Sequence, residues 1–168
     1  PPLTRSHAPG SRAIVSVPVA GMQACERASE AIGMVVADLD TALLFAAAGQ
    51  LDPLDKTDNF NNYKQVILDA SRDLTNDAKA LVAGATGTQE QLAAAATSSI
   101  KSIEDVARAM KSAAITMTSA DRAGQEQLLN AARTVALKLQ DHVDASLKGT
   151  ERACTGPRGP HIGRTCVC

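Results

Sequence analysis

The sequence predicts an all-α fold, an antiparallel up-and-down helical bundle, on three observations. Apolar residues recur every three to four positions through 23–49, 59–85, 88–117 and 121–147. Alanine is abundant throughout those stretches. Two Phe, one Tyr and no Trp leave the core to Ala, Leu, Val, Ile and Met, which lets helices approach closely while each side chain buries modest surface.

The first helix starts near Gln23 and ends at Ala46-Ala47-Ala48-Gly49, where Gly49 can take the left-handed conformation that stops a helix. At 100° per residue, Cys25, Ala28, Ile32, Val35, Val36, Leu39, Leu43 and Ala46 share one uncharged arc, the expected core face. Met34, Leu44 and Phe45 lie on the other side, so the last turns are apolar nearly all round, a pattern usually covered by more than one neighbour. The acidic, Pro53-containing stretch 50–58 suits a connection between antiparallel neighbours.

The second helix presents Phe60, Tyr63, Ile67, Ala70, Leu74, Ala78, Leu81 and Ala85 as its stripe, with Lys64, Asp69, Arg72 and Lys79 outside it and Gly84 and Gly87 closing it. The third opens with Thr88-Gln89-Glu90-Gln91, a spacing at which the Thr hydroxyl accepts from the Gln91 N–H while the Gln side chain reaches back. Its seam of Leu92, Ala96, Ser99, Ile103, Val106, Met110, Ala113 and Met117 is the most regular in the chain. Thr118 or Ser119 is expected to cap the fourth helix, whose seam is Leu128/Leu129, Ala132, Val135/Ala136, Leu139, His142/Val143 and Ser146.

Charge and proline divide the chain into three parts. Residues 21–147 carry a net charge of −6, while the flanks 1–20 and 148–168 together carry +5 and hold six of the seven prolines. The expected organisation is therefore a disordered flank over 1–20, a bundle over 21–148 and a disordered Cys/Gly/Pro tail over 149–168. An acidic body argues against a nucleic-acid face, which needs clustered Lys and Arg. No apolar run approaches the ~20 residues that span a bilayer, and Ile14–Ala20 is too short and too interrupted for a signal-peptide core, which excludes direct membrane insertion and points to the cytosol. A chain that begins with Pro reads as a fragment or a processed product.

Catalytic chemistry is not assembled in these patterns. Cys154, Cys166, Cys168 and His161 are metal-ligating residue types, but Cys166-Val167-Cys168 is spaced more tightly than structural zinc pairs and sits in a Gly/Pro-rich tail. Cys25 falls on the core arc, where a small hydrophobe is expected rather than a nucleophile. His142 is expected to be a solvated or half-buried structural histidine, since no Glu-x-x-His pair builds a di-iron site. A Gly-rich phosphate loop is also missing. The residues thus give no enzyme, no cofactor and no metal site.

Four segments, in order and at matching separations, resemble the talin family. They are Val36-Ala37-Asp38-Leu39-Asp40-Thr41, Phe45-Ala46-Ala47-Ala48-Gly49, Gly87-Thr88-Gln89-Glu90-Gln91-Leu92-Ala93 with Ser98-Ser99, and Leu129-Asn130-Ala131-Ala132. The resemblance runs from about Gly21 to Ser146 and is to the helical module near the C-terminal end of the rod, which carries an integrin-binding region. It implies four helices of a five-helix module, with the fifth helix replaced by an unrelated tail. It further implies an adaptor linking integrin cytoplasmic tails to actin, recruiting vinculin, and residing in the cytoplasm, on the cytoskeleton and at focal adhesions.

The family's vinculin-binding pattern, Leu-x-x-Ala-Ala-x-x-Val-Ala-x-x-Val-x-x-Leu-Ile, is matched loosely by Cys25, Ala28, Ser29, Ile32, Gly33, Val36 and Leu39. Cys replaces the first Leu, and Asp40 stands where Ile is expected. The candidate protein-binding residues are accordingly Cys25, Ala28, Ile32, Val36, Leu39 and Leu43 on helix one. Against that reading, every bundle helix carries such a stripe simply as core. Two further readings are a lipid-surface bundle, which would need Lys and Arg flanking the apolar faces, and a non-functional truncated gene product. An apolar groove left by the fifth helix would make the chain poorly stable or self-associating, with Leu43, Leu44 and Phe45 at the end of helix one expected as part of the uncovered surface.

Overall fold

Each of the four periodic stretches forms a helix in the computed structural model, which describes residues 20–51, 59–117 and 119–155. The helices are α1 (Ala20–Ala47), α2 (Phe60–Gly84), α3 (Gln89–Thr116) and α4 (Arg122–Thr155), with one 3₁₀ turn at Ser119–Asp121 before α4. The disorder expected of the two flanks falls on residues outside the described ones, except at Ala20 and 149–155, which are helical.

Local chemistry sets the helix ends. Gly49 has φ 68°, the left-handed value expected of it. The Thr88 hydroxyl accepts from the Gln91 N–H at 3.3 Å while the Gln91 side chain accepts from the Thr88 N–H at 3.0 Å, completing the expected capping box. Bonds from its own backbone N–H and from Thr88 also hold the Glu90 carboxyl below the usual carboxylate range. Asn59 caps α2, its Oδ1 accepting from Asn61 N. The cap of α4 differs from expectation: Asp121 Oδ1 accepts from Gly124 N at 3.2 Å, so the helix starts after the 3₁₀ turn.

One helix-end expectation holds and one is corrected. Helix α2 ends at Gly84 as expected, without a left-handed turn; a Cβ there would sit 3.0 Å from the Leu92 backbone, so glycine also serves the close approach of α2 to α3. Helix α4 does not stop near 147. Leu147 packs on the core, Thr150 is buried with its hydroxyl donating to the Ser146 carbonyl, and the helix continues through Thr155.

Cross-helix contacts fix the directions. Gly21 lies against Leu92, and Lys111 bonds Asp38, so α1 and α3 run parallel. Ser29 meets Asp144 and Asp40 meets Arg133, so α1 and α4 are antiparallel. Asp77 accepts from Ser98 and Ser102, with Gly84 against Leu92, so α2 and α3 are antiparallel. Successive helices alternate direction as expected, but α1 and α2 do not lie side by side. Helix α3 is central, flanked by α1 and α2, while α4 packs on α1 and only sparsely on α2.

The core has two parts. The first contains Cys25, Ile32, Leu74, Leu81, Leu92, Ile103 and Val143 from all four helices. The second contains Leu39, Ala42, Ala46, Ala107, Ala114, Leu129 and Ala132 and receives nothing buried from α2. The N-terminal half of α2 is consequently open, with Phe60, Val66 and Leu68 exposed.

Candidate functional site

The candidate site is the inward stripe of α1, and the helical period brings its residues together as the sequence requires. Cys25, Ala28, Ile32 and Leu39 are wholly inaccessible, while Val36 and Leu43 are half-buried at the edge of the stripe. Gly21 lets the start of α1 approach α3, since a Cβ there would crowd the Gln89 side chain and Leu92. Burial pushes the Cys25 thiol above its ordinary value, and the neighbouring Glu26 charge adds to the effect. Its neutral thiol therefore behaves as a small core group, as expected.

Polar ties hold that stripe shut from both sides. On the α3 side, Lys111 Nζ donates to Asp38 Oδ2 at 2.6 Å. On the α4 side, Arg133 Nε donates to Asp40 Oδ1 at 2.5 Å and Ser29 Oγ donates to Asp144 Oδ1 at 3.0 Å. Gln125, buried at the end of the second core part, donates from Nε2 to the carbonyls of Leu51 and Met117, each at 3.0 Å. It thus ties the chain leaving α1 to the chain leaving α3. Sequence reasoning missed these partners. Their only signal is a polar residue on or beside an apolar seam, such as Gln125 one turn before Leu128 and Leu129.

Other sequence candidates resolve into structure. His142 is exposed on α4. Leu44 and Phe45 are 72 and 49 % exposed, as expected of the apolar end of α1, and Met34 is 69 % exposed with them, because α1 packs beside α3 and α4, which both lie on its inner side. Cys154 lies in the last turn of α4, and His161, Cys166 and Cys168 are outside the described residues. Among the described residues, no group of His, Cys, Asp and Glu is placed to hold a metal ion, and no helix is long and apolar enough to cross a membrane.

A cleft of about 640 Å³ opens between α2 and α3, lined by Asp69, Asp73, Asp77, Lys101, Asp105 and Arg108 among others. Three of its carboxylates are engaged locally: Asp69 with Arg72 at 3.1 Å, Asp105 with Arg108 at 2.9 Å, and Asp77 with two serine hydroxyls. Structurally, the chain is a helical-bundle module whose candidate recognition element is a helix that it keeps closed.

The comparisons place that module in a family. The family model described as "Talin 1-like, rod segment domain" matches residues 21–146. A talin from Oscarella pearsei is 38 % identical over 147 residues, covering 88 % of this chain and 6 % of its own length. Talin-1 of Gallus gallus and talin-2 of Homo sapiens are 37 and 36 % identical over 137 residues, covering 82 % of this chain and 5 % of theirs. The chain belongs to the talin family and is a rod segment of it, spanning about one-twentieth of the length of these relatives.

Proposed function

We propose that the chain is a cytoskeletal adaptor module that, within a longer protein, helps link integrin cytoplasmic tails to actin at focal adhesions and offers α1 to vinculin. One observation carries this reading: a chain matched over 21–146 to a talin rod segment keeps the residues nearest the vinculin-binding pattern on the closed face of its first helix. A helix that docks in a partner's groove uses the same apolar stripe it buries at home. The two uses of Ile32, Val36, Leu39 and Leu43 are mutually exclusive. Release of α1 therefore costs the bundle about 1.5–3 kcal/mol for each fully buried large side chain.

Tension, or any agent that opens the bundle, is the trigger consistent with that exclusion. A peptide of residues 20–49 is expected to bind the vinculin head more tightly than the intact chain does. Equal affinities, or a peptide that does not bind, contradict the proposal. The fifth helix implied by the family resemblance would find its seat along the gap between α2 and α4, where Val82 and Val135 are exposed and a small cleft is lined by Thr75, Ala78, Lys79, Val82 and His142. Supplying that helix is expected to raise the melting temperature, and an unchanged value counts against this placement.

A further inference from the structure

The carboxylate of Asp77 on α2 is held by two hydroxyls of α3. Ser98 Oγ donates to its Oδ1 at 2.8 Å, and Ser102 Oγ, one turn further along, donates to its Oδ2. Asp77 lies between Leu74 and Leu81, the two large side chains that α2 buries, so this fork clasps α2 where the helix is seated. Ser98 is exposed, whereas Ser102 is buried at the wall of the α2–α3 cleft. Ser102 also stands apart in the sequence. In Ser102-Ile103-Glu104-Asp105 it is the one serine of the chain followed, three residues on, by a carboxylate, and a second acid directly precedes that one.

We propose that Ser102 is a phosphorylation site for an acid-directed serine/threonine kinase, closed while α2 is seated, and that its phosphate then keeps α2 from reseating. The two acids that follow it supply the charge such a kinase reads, and Asp105 shares a helix face with Ser102, since residues three apart are neighbours. Access is what the fold withholds. While Asp77 holds the hydroxyl and α2 covers it, the oxygen cannot meet a γ-phosphoryl group. Opening of the thinly buried α2 releases it and leaves α3 packed on α1 and α4. In the transfer, Ser102 Oγ attacks the γ-phosphorus of Mg·ATP, its proton passes to the kinase's catalytic carboxylate, and ADP leaves as the P–O bond to it breaks.

The product does not fit the closed clasp. A donor hydroxyl is replaced by an acceptor group of about −1.5 to −2 charges, set against the Asp77 carboxylate. Nearby cations do not offset it. Of the charged side chains described along the cleft, four are carboxylates (Asp69, Asp73, Asp77 and Asp105) and two are cations, Lys101 and Arg108, the latter already bonded to Asp105 at 2.9 Å. Phosphorylation thus turns the tie between α2 and α3 into a repulsion.

The test is phosphorylation of the full 168-residue chain by casein kinase II, an acid-directed kinase, with Mg·ATP, the acceptor being identified by mass spectrometry. Ser102 is expected to gain phosphate slowly in the unaltered chain. In Asp77→Ala, which frees the hydroxyl and loosens α2, the gain is expected to be about tenfold faster or more, with a helical circular dichroism spectrum retained. Ser98→Ala, which removes the exposed arm of the fork, is expected to speed it by a smaller factor. Phosphate that reaches Ser102 in none of these chains, or equally fast in all of them, overturns the proposal. Ser102→Ala and Ser102→Glu then separate the lost hydrogen bond from the added charge, since both drop the bond to Asp77 and only the second repels it. Amides over residues 74–84 of α2 are expected to exchange about tenfold faster in Ser102→Glu than in Ser102→Ala, with those of α1 alike in the two, and the chain phosphorylated at Ser102 is expected to follow Ser102→Glu. Equal exchange of α2 in the phosphorylated chain and Ser102→Ala, or an equal quickening of α1, overturns the release of α2.

Discussion

Helices α2 and α3 are nearly equal in length and lie side by side, yet they are held very differently. Eleven residues of α3 are buried, on faces turned toward α1, α2 and α4, whereas α2 buries only Leu74, Leu81 and Gly84. Both helices show a clean sequence stripe. The difference is position: a central helix finds neighbours for more than one face, and a peripheral one finds them for a single edge. It follows that stability in this bundle is local, concentrated in the α1–α3–α4 trio that closes the α1 stripe, and thin along the first half of α2.

That contrast is broken or sharpened first by truncating side chains on either side of it. Leu39→Ala, in the part of the core built without α2, is expected to lower unfolding stability by about 2–5 kcal/mol. Val82→Ala, on the exposed side of α2, is expected to change it by no more than about 0.5 kcal/mol. Comparable losses in denaturant titrations of the two variants would erase the asymmetry.

Hydrogen exchange gives the next largest contrast. Amides over residues 64–73 of α2 should exchange through small openings, while those over 95–114 of α3 should exchange at the rate set by global unfolding. Uniform protection along both helices would contradict the account. Asp77 should then matter chiefly to α2, because its carboxylate receives the Ser98 and Ser102 hydroxyls of α3. Asp77→Ala is expected to cost about 1.5–3 kcal/mol, the usual range for hydrogen bonds to a charged group, and to quicken exchange in α2 more than in α1. Equal quickening in both would show that α2 is not a separate unit.

The smallest effect is expected at the α1–α4 ion pair. Arg133 and Asp40 are 39 and 47 % exposed, so water screens the pair and a double-mutant cycle should return a coupling below about 1 kcal/mol. A coupling of several kcal/mol would make the polar ties, rather than apolar burial, the lock on α1.

Much of this architecture is legible in the sequence, for a physical reason. Periodicity reports burial, so Cys25, Ile32, Leu39, Leu92, Ile103, Leu129 and Val143 are found where the stripes place them. The Thr88–Gln91 capping box and the Gly49 terminus are legible because both depend on residues a few positions apart. Adjacency is not local: nothing in residues 50–58 announces that α1 and α2 will not lie side by side. The end of α4 is hidden by the change to a Cys/Gly/Pro-rich composition from Gly149 onward. The exposed Gly149 leaves no packing to lose, while Thr150 bonds back to Ser146 and lets the helix run on.

The claim on which the functional reading rests is that the inward stripe of α1 is closed in the native chain. Cys25 reports on it directly, because the thiol is fully buried and burial raises its pKa, disfavouring the reactive thiolate. Stability linked to that raised pKa is fully present below the unfolded thiol's value and fades as pH climbs through the folded one, so the measurement belongs near neutral pH. Alkylation of the Cys25-containing peptide, followed by mass spectrometry across a denaturant series, is expected to be slow in native buffer and to accelerate in step with global unfolding. Prompt alkylation of Cys25 in the folded chain would show that α1 is already open, and the closed-helix account would fail.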